Sequence, residues 1–228
     1  MIPNEFEVRP ITYADIKEWC LFKHYAHRIP SISYAFGLYR ERVLEGVCTF
    51  GEPATPHLVT GAFGGKYIDT FLELNRLCVN GGLPKNTLSY FVSQSLNMLP
   101  KPMVVVSYAD SGQNHHGYIY QATNWIYTGM SAAHKGHHLE GRENLHQRHI
   151  NEIGGGHKTI AELKALYGDK LTEYWIAPKY RYFYFLGDKR QVREMRRNLK
   201  YKVVKEYPKG DNERYDASYK PSYQGLLF

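Results

Sequence analysis

Residues 103–110, MVVVSYAD, restrict the fold most, because they form an unbroken apolar run that ends in a carboxylate. Such a run is typical of a strand that is buried on both faces, so helices should cover both sides of its sheet. Open α/β sheets bind ligands at their strand ends, and Asp110 lies at this one. The local sequence favours equally a general base beside Tyr108 and a cap for a following helix.

The pattern around this strand predicts an alternation of helices and strands. Residues 11–27 are typical of a helix with Thr12 as its N-cap, and a hairpin follows that turns at 40–42. A strand at 71–80 and a helix at 86–99 precede the buried strand, and a short helix at 118–124 and another strand come after it. This order predicts an α/β (α+β) fold with a mixed central sheet flanked by helices.

We expect a single domain over residues 1–228. Residues 130–178 have weaker apolar periodicity and indicate an insertion with a helix at 160–167. A strand at 182–186 and a basic helix at 190–199 should close the domain before a tail at 210–228.

Three features predict a cytosolic protein. No run of about 18 apolar residues is present, so no membrane association is expected. The first residues lack the basic and apolar pattern of a secretory signal. Cys20, Cys48 and Cys78 are widely spaced, which indicates buried reduced thiols.

The charge is concentrated in residues 179–209, which hold eleven Lys or Arg and three Asp or Glu, a net +8. This excess is typical of a phosphate-binding face, and interleaved aromatics favour nucleic acid over a solvated helix face. The YFYF run inside the segment is more typical of a buried strand. The predicted nucleic-acid contacts are Lys189, Arg190, Arg193, Arg196, Arg197 and Lys200.

Other polar side chains lie where they could enter a pocket. Tyr120 and Asn124 are four residues apart and would share one helix face. Arg76 lies mid-strand beside Asn75, and a buried arginine needs an ion pair, a phosphate or a carbonyl as its partner. The segment 80–89, NGGLPKNTLS, runs into a helix start near Ser89 and resembles an anion site, although it lacks a Walker signature.

The histidines give a weaker signal. His24 and His27 are three residues apart, but without a third ligand a metal site is the less favoured interpretation. The stretch 130–157 contains HKGHH without an HExxH or cysteine-paired spacing, so we expect surface histidines there.

Six ordered motifs resemble those of the phage Mom DNA-modification proteins. They are KHYAH, ELNRL, SYAD, GYIYQATNWIYTG, RYFYFLGDKR and YPKGDNERYD. The resemblance covers residues 23–216. It implies a fold similar to GNAT acyltransferases and the conversion of adenine in phage DNA to N6-carbamoylmethyladenine, which shields the DNA from host restriction enzymes. It also implies action in the cytoplasm of the infected host. An iron requirement has been suggested for relatives, and the sequence neither supports nor excludes a metal.

The resemblance also implies roles for individual residues. The positions that match residues implicated in catalysis or co-substrate binding are His24, Tyr25, Arg76, Asp110 and Tyr120. We expect Asp110 to take a proton from the adenine amine and Tyr120 to protonate the leaving group. Arg76 would stabilise an oxyanion or bind a donor phosphate. Tyr108 would stack on an adenine flipped out of double-stranded DNA. Asn75, Ser89 and Asn124 are further substrate-binding predictions.

The sequence departs from acyltransferases at the donor site. GGLPKNTLS stands where those enzymes carry a Gln/Arg-x-x-Gly-x-Gly/Ala loop for coenzyme A. Glycyl-tRNA is therefore favoured over acetyl-CoA as the donor, which would make tRNA a second partner. The alternatives are an acetyl-CoA-dependent acyltransferase and a non-catalytic DNA-binding protein.

Overall fold

The computed structural model describes residues 5–142, 145 and 147–211. Its strands, in chain order, are β1 (Phe6–Pro10), β2 (Tyr34–Arg40), β3 (Val43–Gly51), β4 (Phe71–Val79), β5 (Met103–Asp110), β6 (Ile126–Met130), β7 (His134–Leu139), β8 (Leu171–Ile176) and β9 (Lys179–Leu186). Its α-helices are α1 (Tyr13–Glu18), α2 (His57–Phe63), α3 (Thr87–Asn97), α4 (Tyr118–Ala122), α5 (Gln147–Glu152), α6 (Ile160–Tyr167) and α7 (Lys189–Asn198). A π-helical turn, Trp19–Lys23, continues α1, and short 3-10 helices span Ile68–Thr70, Ser111–Gln113 and Gly168–Lys170.

Seven strands form the central sheet in the order β1-β2-β3-β4-β5-β9-β6. All neighbours are antiparallel except β4 and β5, which are parallel. Their pairing covers only Phe71 with Val104, Leu72 with Val105 and Glu73 with Val106. Beyond Glu73 and Val106, β4 stays paired with β3 and β5 with β9, so the sheet opens between them. We call this opening the strand split.

Helices cover both faces of the sheet, as predicted. On one side, here the α3 face, α3 and α4 pack on Leu72, Leu74 and Val105. On the opposite side, the α7 face, α2 and α7 pack on Val104 and Val106. Val104, Val105 and Val106 are fully buried, which confirms the strand predicted at 103–110 and the mixed α/β fold.

The π-helical turn also lies on the α7 face, on the other side of the strand split. Trp19 packs against Val47 and Cys78. The adjacent strand residues Cys48 and Leu77 belong to the core on the α3 face, so Val47 and Cys78 point to the α7 face. All three cysteines are free and buried, which confirms the prediction of reduced thiols. No helix in the described ranges is long and apolar enough to cross a membrane.

Most predicted elements are present, and several, α5 among them, were missed. The N-cap of α1 is confirmed, since the Thr12 amide donates to Asp15 Oδ2 at 2.9 Å. Helix α6 has the predicted bounds, α7 begins one residue earlier than predicted, and β9 extends three residues further towards the N-terminus. The patterns of β1, α2 and the β7–β8 hairpin were not recognised.

Residues 134–176 build a second unit around β7 and β8, which pair antiparallel. Its own core consists of Leu139, Ile150, Leu163 and Leu171. Its histidines differ from the expected surface positions: His134 and His157 are exposed, but His137 is buried, because it points inward from β7. His138 stacks on Tyr174 at 4.0 Å between ring centroids. No group of three His, Cys, Asp or Glu among the described residues could hold a metal ion.

The chain after α7 crosses from the α7 face to the α3 face. The Lys200 amide donates to the Ala62 carbonyl in α2, and the Val204 amide to the Tyr127 carbonyl in β6. The Tyr207 hydroxyl donates to the Trp125 carbonyl at 2.8 Å, which completes the crossing. Residues 212–228 of the expected tail lie outside the described residues.

Candidate active site

The α3 face of the strand split holds a hydroxyl pair, Ser107 of β5 and Tyr120 of α4. Ser107 Oγ lies 2.8 Å from the Leu74 carbonyl oxygen and 2.7 Å from Tyr120 Oη. A carbonyl oxygen can only accept, so we assign the Ser107 proton to Leu74 and the Tyr120 proton to Ser107. Leu74 is the first β4 residue beyond the parallel pairing, which places this chain at the base of the split.

The Tyr120 hydroxyl is held in its protonated form. Burial raises the pKa of this phenol far above its ordinary value, with Ser107 as the largest opposing contact. Negative charge on Tyr25 or Glu73, which lie across the split, would raise this pKa further.

Asp110 lies on the α7 face, where β5 ends. Its Oδ1 accepts from the Gly112 amide at 3.0 Å, and Lys179 Nζ, opposite it in β9, lies 2.8 Å from Oδ2. The predicted helix cap is therefore present, for the 3-10 turn Ser111–Gln113. Asp110 and Ser107 are three residues apart on β5, so alternation places them on opposite faces. The carboxylate thus lies on the other side of the sheet from Tyr120, and its role as base stays a prediction.

A loop at residues 24–33 forms the β4 side of the split and is fixed by two β4 side chains. Arg76 Nε and Nη2 donate to the Arg28 carbonyl at 3.2 and 3.0 Å. Asn75 Nδ2 donates to the Ser31 carbonyl at 2.7 Å, and Asn75 Oδ1 accepts from the Thr49 hydroxyl at 2.6 Å. Of the kinds of partner expected for Arg76, the structure shows backbone carbonyls. Its Nη1 donates a hydrogen bond to the Asn75 carbonyl. These contacts make Arg76 and Asn75 anchors of the loop, and their predicted contacts with donor or substrate remain predictions.

His24 begins this loop and is buried. Its Nδ1 accepts from the Ala26 amide at 3.1 Å, so the ring proton of the neutral form lies on Nε2. Burial, followed by the nearby Arg76 charge, lowers the pKa of His24 to about 3. The ring stacks on Tyr25 at 4.3 Å, and Tyr25 meets the edge of His115 at 5.8 Å between centroids. The pair therefore joins the loop to the segment that follows β5.

The neutral state of His24 predicts a pH-dependent stability. Its folded pKa lies below the ordinary 6.5, so between about pH 3 and 6.5 the unfolded chain binds the proton more readily and stability falls as pH falls. The slope attributable to His24 is up to about 1.4 kcal/mol per pH unit. Urea unfolding at pH 7, 6 and 5 should show a shallower slope for His24→Asn, whose Oδ1 can accept from the Ala26 amide, and an unchanged slope for the exposed His157→Asn. Equal slopes for wild type and His24→Asn would contradict this assignment.

Glu73, which was not among the predicted site residues, shares the α7 face of the strand split with Arg76 and Asp110, and we call this part of the split the groove. It is the last β4 residue paired with β5, and it lies on the α7 face. Its Oε2 accepts weakly from the Ala54 amide at 3.4 Å. Burial raises the pKa of this carboxyl, against the opposing charges of Arg76 and Lys179. Its signal was a second charged residue inside the strand that also carries Arg76.

The remaining predicted contacts have mixed outcomes. Tyr108 lies on the α7 face, and burial strongly raises its pKa. Asn124 does not share a pocket with Tyr120, because α4 ends at Ala122 and Asn124 is exposed with φ 62°. Ser89 donates to the Asn86 carbonyl at 2.9 Å within the first turn of α3, and its substrate contact stays a prediction.

Helix α7 presents a basic surface beside the groove. Met195, on one side of the helix, packs into the core. The residues predicted to contact nucleic acid lie on the opposite side. The exposed residues are Lys189, Arg190, Arg193, Arg196, Arg197 and Lys200. From Lys200 the surface continues to Tyr201. The Arg181 guanidinium stacks on the Tyr201 ring, 3.6 Å from its centroid, and also interacts with Tyr108. The YFYF run is buried in β9, as expected.

Comparisons with known proteins agree with the motifs. The Mom protein family matches residues 5–209. The chain is 29% identical over 192 residues to "Methylcarbamoylase mom" of Escherichia phage Mu, which covers 82% of this chain and 77% of that protein.

Solved structures with a similar arrangement are GNAT acetyltransferases. An acetyltransferase of the GNAT family from Bacillus cereus ATCC 10987 is similar with a TM-score of 0.40 and 10% identity over 79% of this chain and 96% of that one. Arabidopsis thaliana NAA60 in complex with acetyl-CoA has a TM-score of 0.45 and 12% identity over 79% and 98%. The family match extends over nearly the whole described chain, and the protein belongs to the Mom family.

Proposed function

We propose that this protein is a phage enzyme that converts adenine in double-stranded DNA to N6-carbamoylmethyladenine in the cytoplasm of the infected host. The observation that carries the proposal is the strand split, which has a protonated phenol on one face and a carboxylate and a neutral imidazole on the other. A methylcarbamoylase of phage Mu as a relative supports the same reaction. A non-catalytic DNA-binding protein would have no use for such a set of buried polar groups.

The first step is the transfer of an activated glycyl group to adenine N6. The amine attacks the acyl carbon, the N–C bond forms, and the ester bond to the donor breaks. A carboxylate of the groove takes the N6 proton, and the Tyr120 hydroxyl protonates the leaving oxygen. The groove offers two carboxylates for this role: Asp110, which the sequence analysis favoured, and Glu73. His24 and Tyr25 line the position for the adenine or the glycyl group.

The second step is a rearrangement that needs no further reactant. The free glycyl amine attacks purine C6 and closes a five-membered spiro ring that includes the original N6. The bond between C6 and the original N6 then breaks, and that nitrogen leaves as the amide. The product is N6-carbamoylmethyladenine, with the glycine nitrogen attached to the purine and every atom accounted for.

Glycyl-tRNA is the donor that supplies all the atoms of the added group. An acetyl donor such as acetyl-CoA would leave both the amide nitrogen and the alkyl linkage without a source. The segment before α3, NGGLPKNTLS, also lacks the Gln/Arg-x-x-Gly-x-Gly/Ala pattern of acyltransferases. Acetyl-CoA is the alternative donor, and the thiolate of coenzyme A would then be the group that Tyr120 protonates.

Mass spectrometry of nucleosides tests the proposed function. DNA from bacteria that express the protein should contain N6-carbamoylmethyladenine, because the phage reaction needs only host donors. DNA from the same cells with the empty vector should contain none. Unmodified adenine in both samples, with the folded protein present, would contradict the function.

Helix α7 should bind the phosphate backbone of DNA. Reversing Arg193, Arg196 and Arg197 to Glu should weaken binding to duplex DNA and flatten its salt dependence, because fewer counterions are then released. Binding is measured by fluorescence anisotropy over a series of salt concentrations.

A matched control makes the same change in net charge elsewhere. Arg42, Lys85 and Lys101 are exposed and lie outside α7, so their reversal to Glu should leave the salt slope nearly unchanged. Equal losses in the two triple variants would mean that net charge, and not the α7 surface, governs binding.

A further inference from the structure

Two carboxylates lie on the α7 face at the strand split, and their partners differ. Each oxygen of Asp110 has a close partner, the Gly112 amide for Oδ1 and the Lys179 ammonium for Oδ2. Both Asp110 oxygens are thus occupied, which suits this carboxylate to holding Lys179 and the turn after β5 in place.

Glu73 is engaged far less. Its one hydrogen bond within the described ranges comes from the Ala54 amide at 3.4 Å, which is long, and these ranges place no Lys or Arg nitrogen within 4.0 Å of its oxygens. It also lies deeper in the split, at the last parallel pair with β5, whereas Asp110 lies at the outer end of that strand. The Glu73 carboxylate is therefore available to accept a proton.

Position also connects Glu73 with the other groups of the groove. A bulge at Asn75 shifts the register of β4, so that Thr49 pairs with Arg76 and Phe50 with Leu74. Because of this extra residue, Glu73 and Arg76 lie on the same face although they are three apart. A charge on Glu73 is also among the causes that raise the pKa of Tyr120. The strand split thus has a proton acceptor on its α7 face and a proton donor on its α3 face.

On the basis of the proposed function, we propose that Glu73 is a further catalytic residue, the base that takes the adenine N6 proton, and that Asp110 is a positioning residue that holds Lys179 and the turn after β5. As N6 attacks the glycyl ester carbon, its proton passes to Glu73, the N–C bond forms and the ester C–O bond breaks. The ribose oxygen takes the Tyr120 proton, and the proton on Glu73 returns to the Tyr120 oxygen through solvent after product release.

The raised pKa of Glu73 supports this role, because a carboxylate with a higher pKa is a stronger base near neutral pH. It also fixes the sign of the pH dependence. The unprotonated form is the active one, so the rate should rise as pH rises through the pKa of Glu73.

The experiment compares purified wild type, Glu73→Gln, Glu73→Asp and Asp110→Asn in single-turnover modification of duplex DNA by glycyl-tRNA between pH 5 and 8. Glu73→Gln keeps an oxygen for the Ala54 amide and should lose about 10²- to 10⁴-fold in rate, while its DNA affinity stays unchanged. The small remaining rate should no longer depend on pH in this range. Glu73→Asp should recover part of the rate, and Asp110→Asn should keep the wild-type pH profile.

Each contrary result has a separate meaning. If Glu73→Gln keeps the wild-type rate within threefold, or if only Asp110→Asn removes the pH dependence, the assignment of Glu73 is overturned while the function stands. If Glu73→Gln fails to fold, Glu73→Asp decides, and a folded Asp variant with an unchanged pH profile overturns the assignment. If the wild type modifies no adenine with either glycyl-tRNA or acetyl-CoA, the proposed function fails, and the role of Glu73 fails with it.

Discussion

Replacing Tyr120 by Phe should lower the rate of adenine modification by about 10²- to 10⁴-fold, the usual contribution of a general acid. The substitution removes only the hydroxyl that donates to Ser107 at the base of the strand split. The ring remains packed against Trp125 and Tyr182, at 5.0 and 5.1 Å between centroids, so the fold should persist. The rate is measured in single-turnover assays with nucleoside mass spectrometry.

Tyr182→Phe is the matched control for this prediction. Tyr182 is fully buried on the same face, and its hydroxyl donates to the His116 carbonyl at 2.6 Å, away from the split. Both variants should lose about 1 kcal/mol of unfolding free energy, the net value of one hydrogen bond. Only Tyr120→Phe should lose the reaction. A similar loss of rate in both would show that Tyr120 matters for packing and not for proton transfer.

Arg76→Met should abolish detectable modification and release the loop at residues 24–33. The variant leaves the Arg28 and Asn75 carbonyls without their guanidinium donors. Hydrogen bonds from a charged donor contribute about 1.5–3 kcal/mol each, so the free energy of unfolding should fall by several kcal/mol. Hydrogen exchange read by mass spectrometry should show faster exchange in the peptide that contains His24 and Tyr25.

Arg76→Lys refines this test. Lysine keeps the charge but cannot span the Arg28 carbonyl with two nitrogens, so the loop should still exchange faster than in the wild type. If the Lys variant protects the loop fully and yet stays inactive, the guanidinium group of Arg76 would act on the substrate directly, which is the role that the resemblance implies. Wild-type exchange and activity in Arg76→Met would contradict the anchoring role.

The fold was predictable where the pattern is local. The apolar run at 103–110 demands cover on both faces, and Thr12 marks a helix start by its own chemistry. The position of β9 between β5 and β6 was not predictable, because that pairing joins segments far apart in sequence. The β7–β8 hairpin was missed for a related reason: its histidine-rich strand has little apolar alternation.

The site shows why residue types are easier to predict than their arrangement. Tyr120, His24 and Arg76 were chosen by type and resemblance, and the structure brings them to one opening of the sheet. Glu73 was missed, although the break in apolar alternation between Leu74 and Leu77 marks the bulge at Asn75 that puts it on the α7 face with Arg76. Asn124 was misplaced because helical spacing does not reveal that α4 ends two residues earlier.

The fate of a labelled glycine nitrogen tests the central claim most directly. Purified protein is given duplex DNA and tRNA charged with ¹⁵N-glycine, and the modified nucleoside is fragmented in a tandem mass spectrometer. The spiro rearrangement predicts that the label stays on the nitrogen attached to the purine, while the amide nitrogen, which came from adenine, is lost unlabelled. Label in the amide nitrogen, or modified adenine that carries no glycine label, would contradict it.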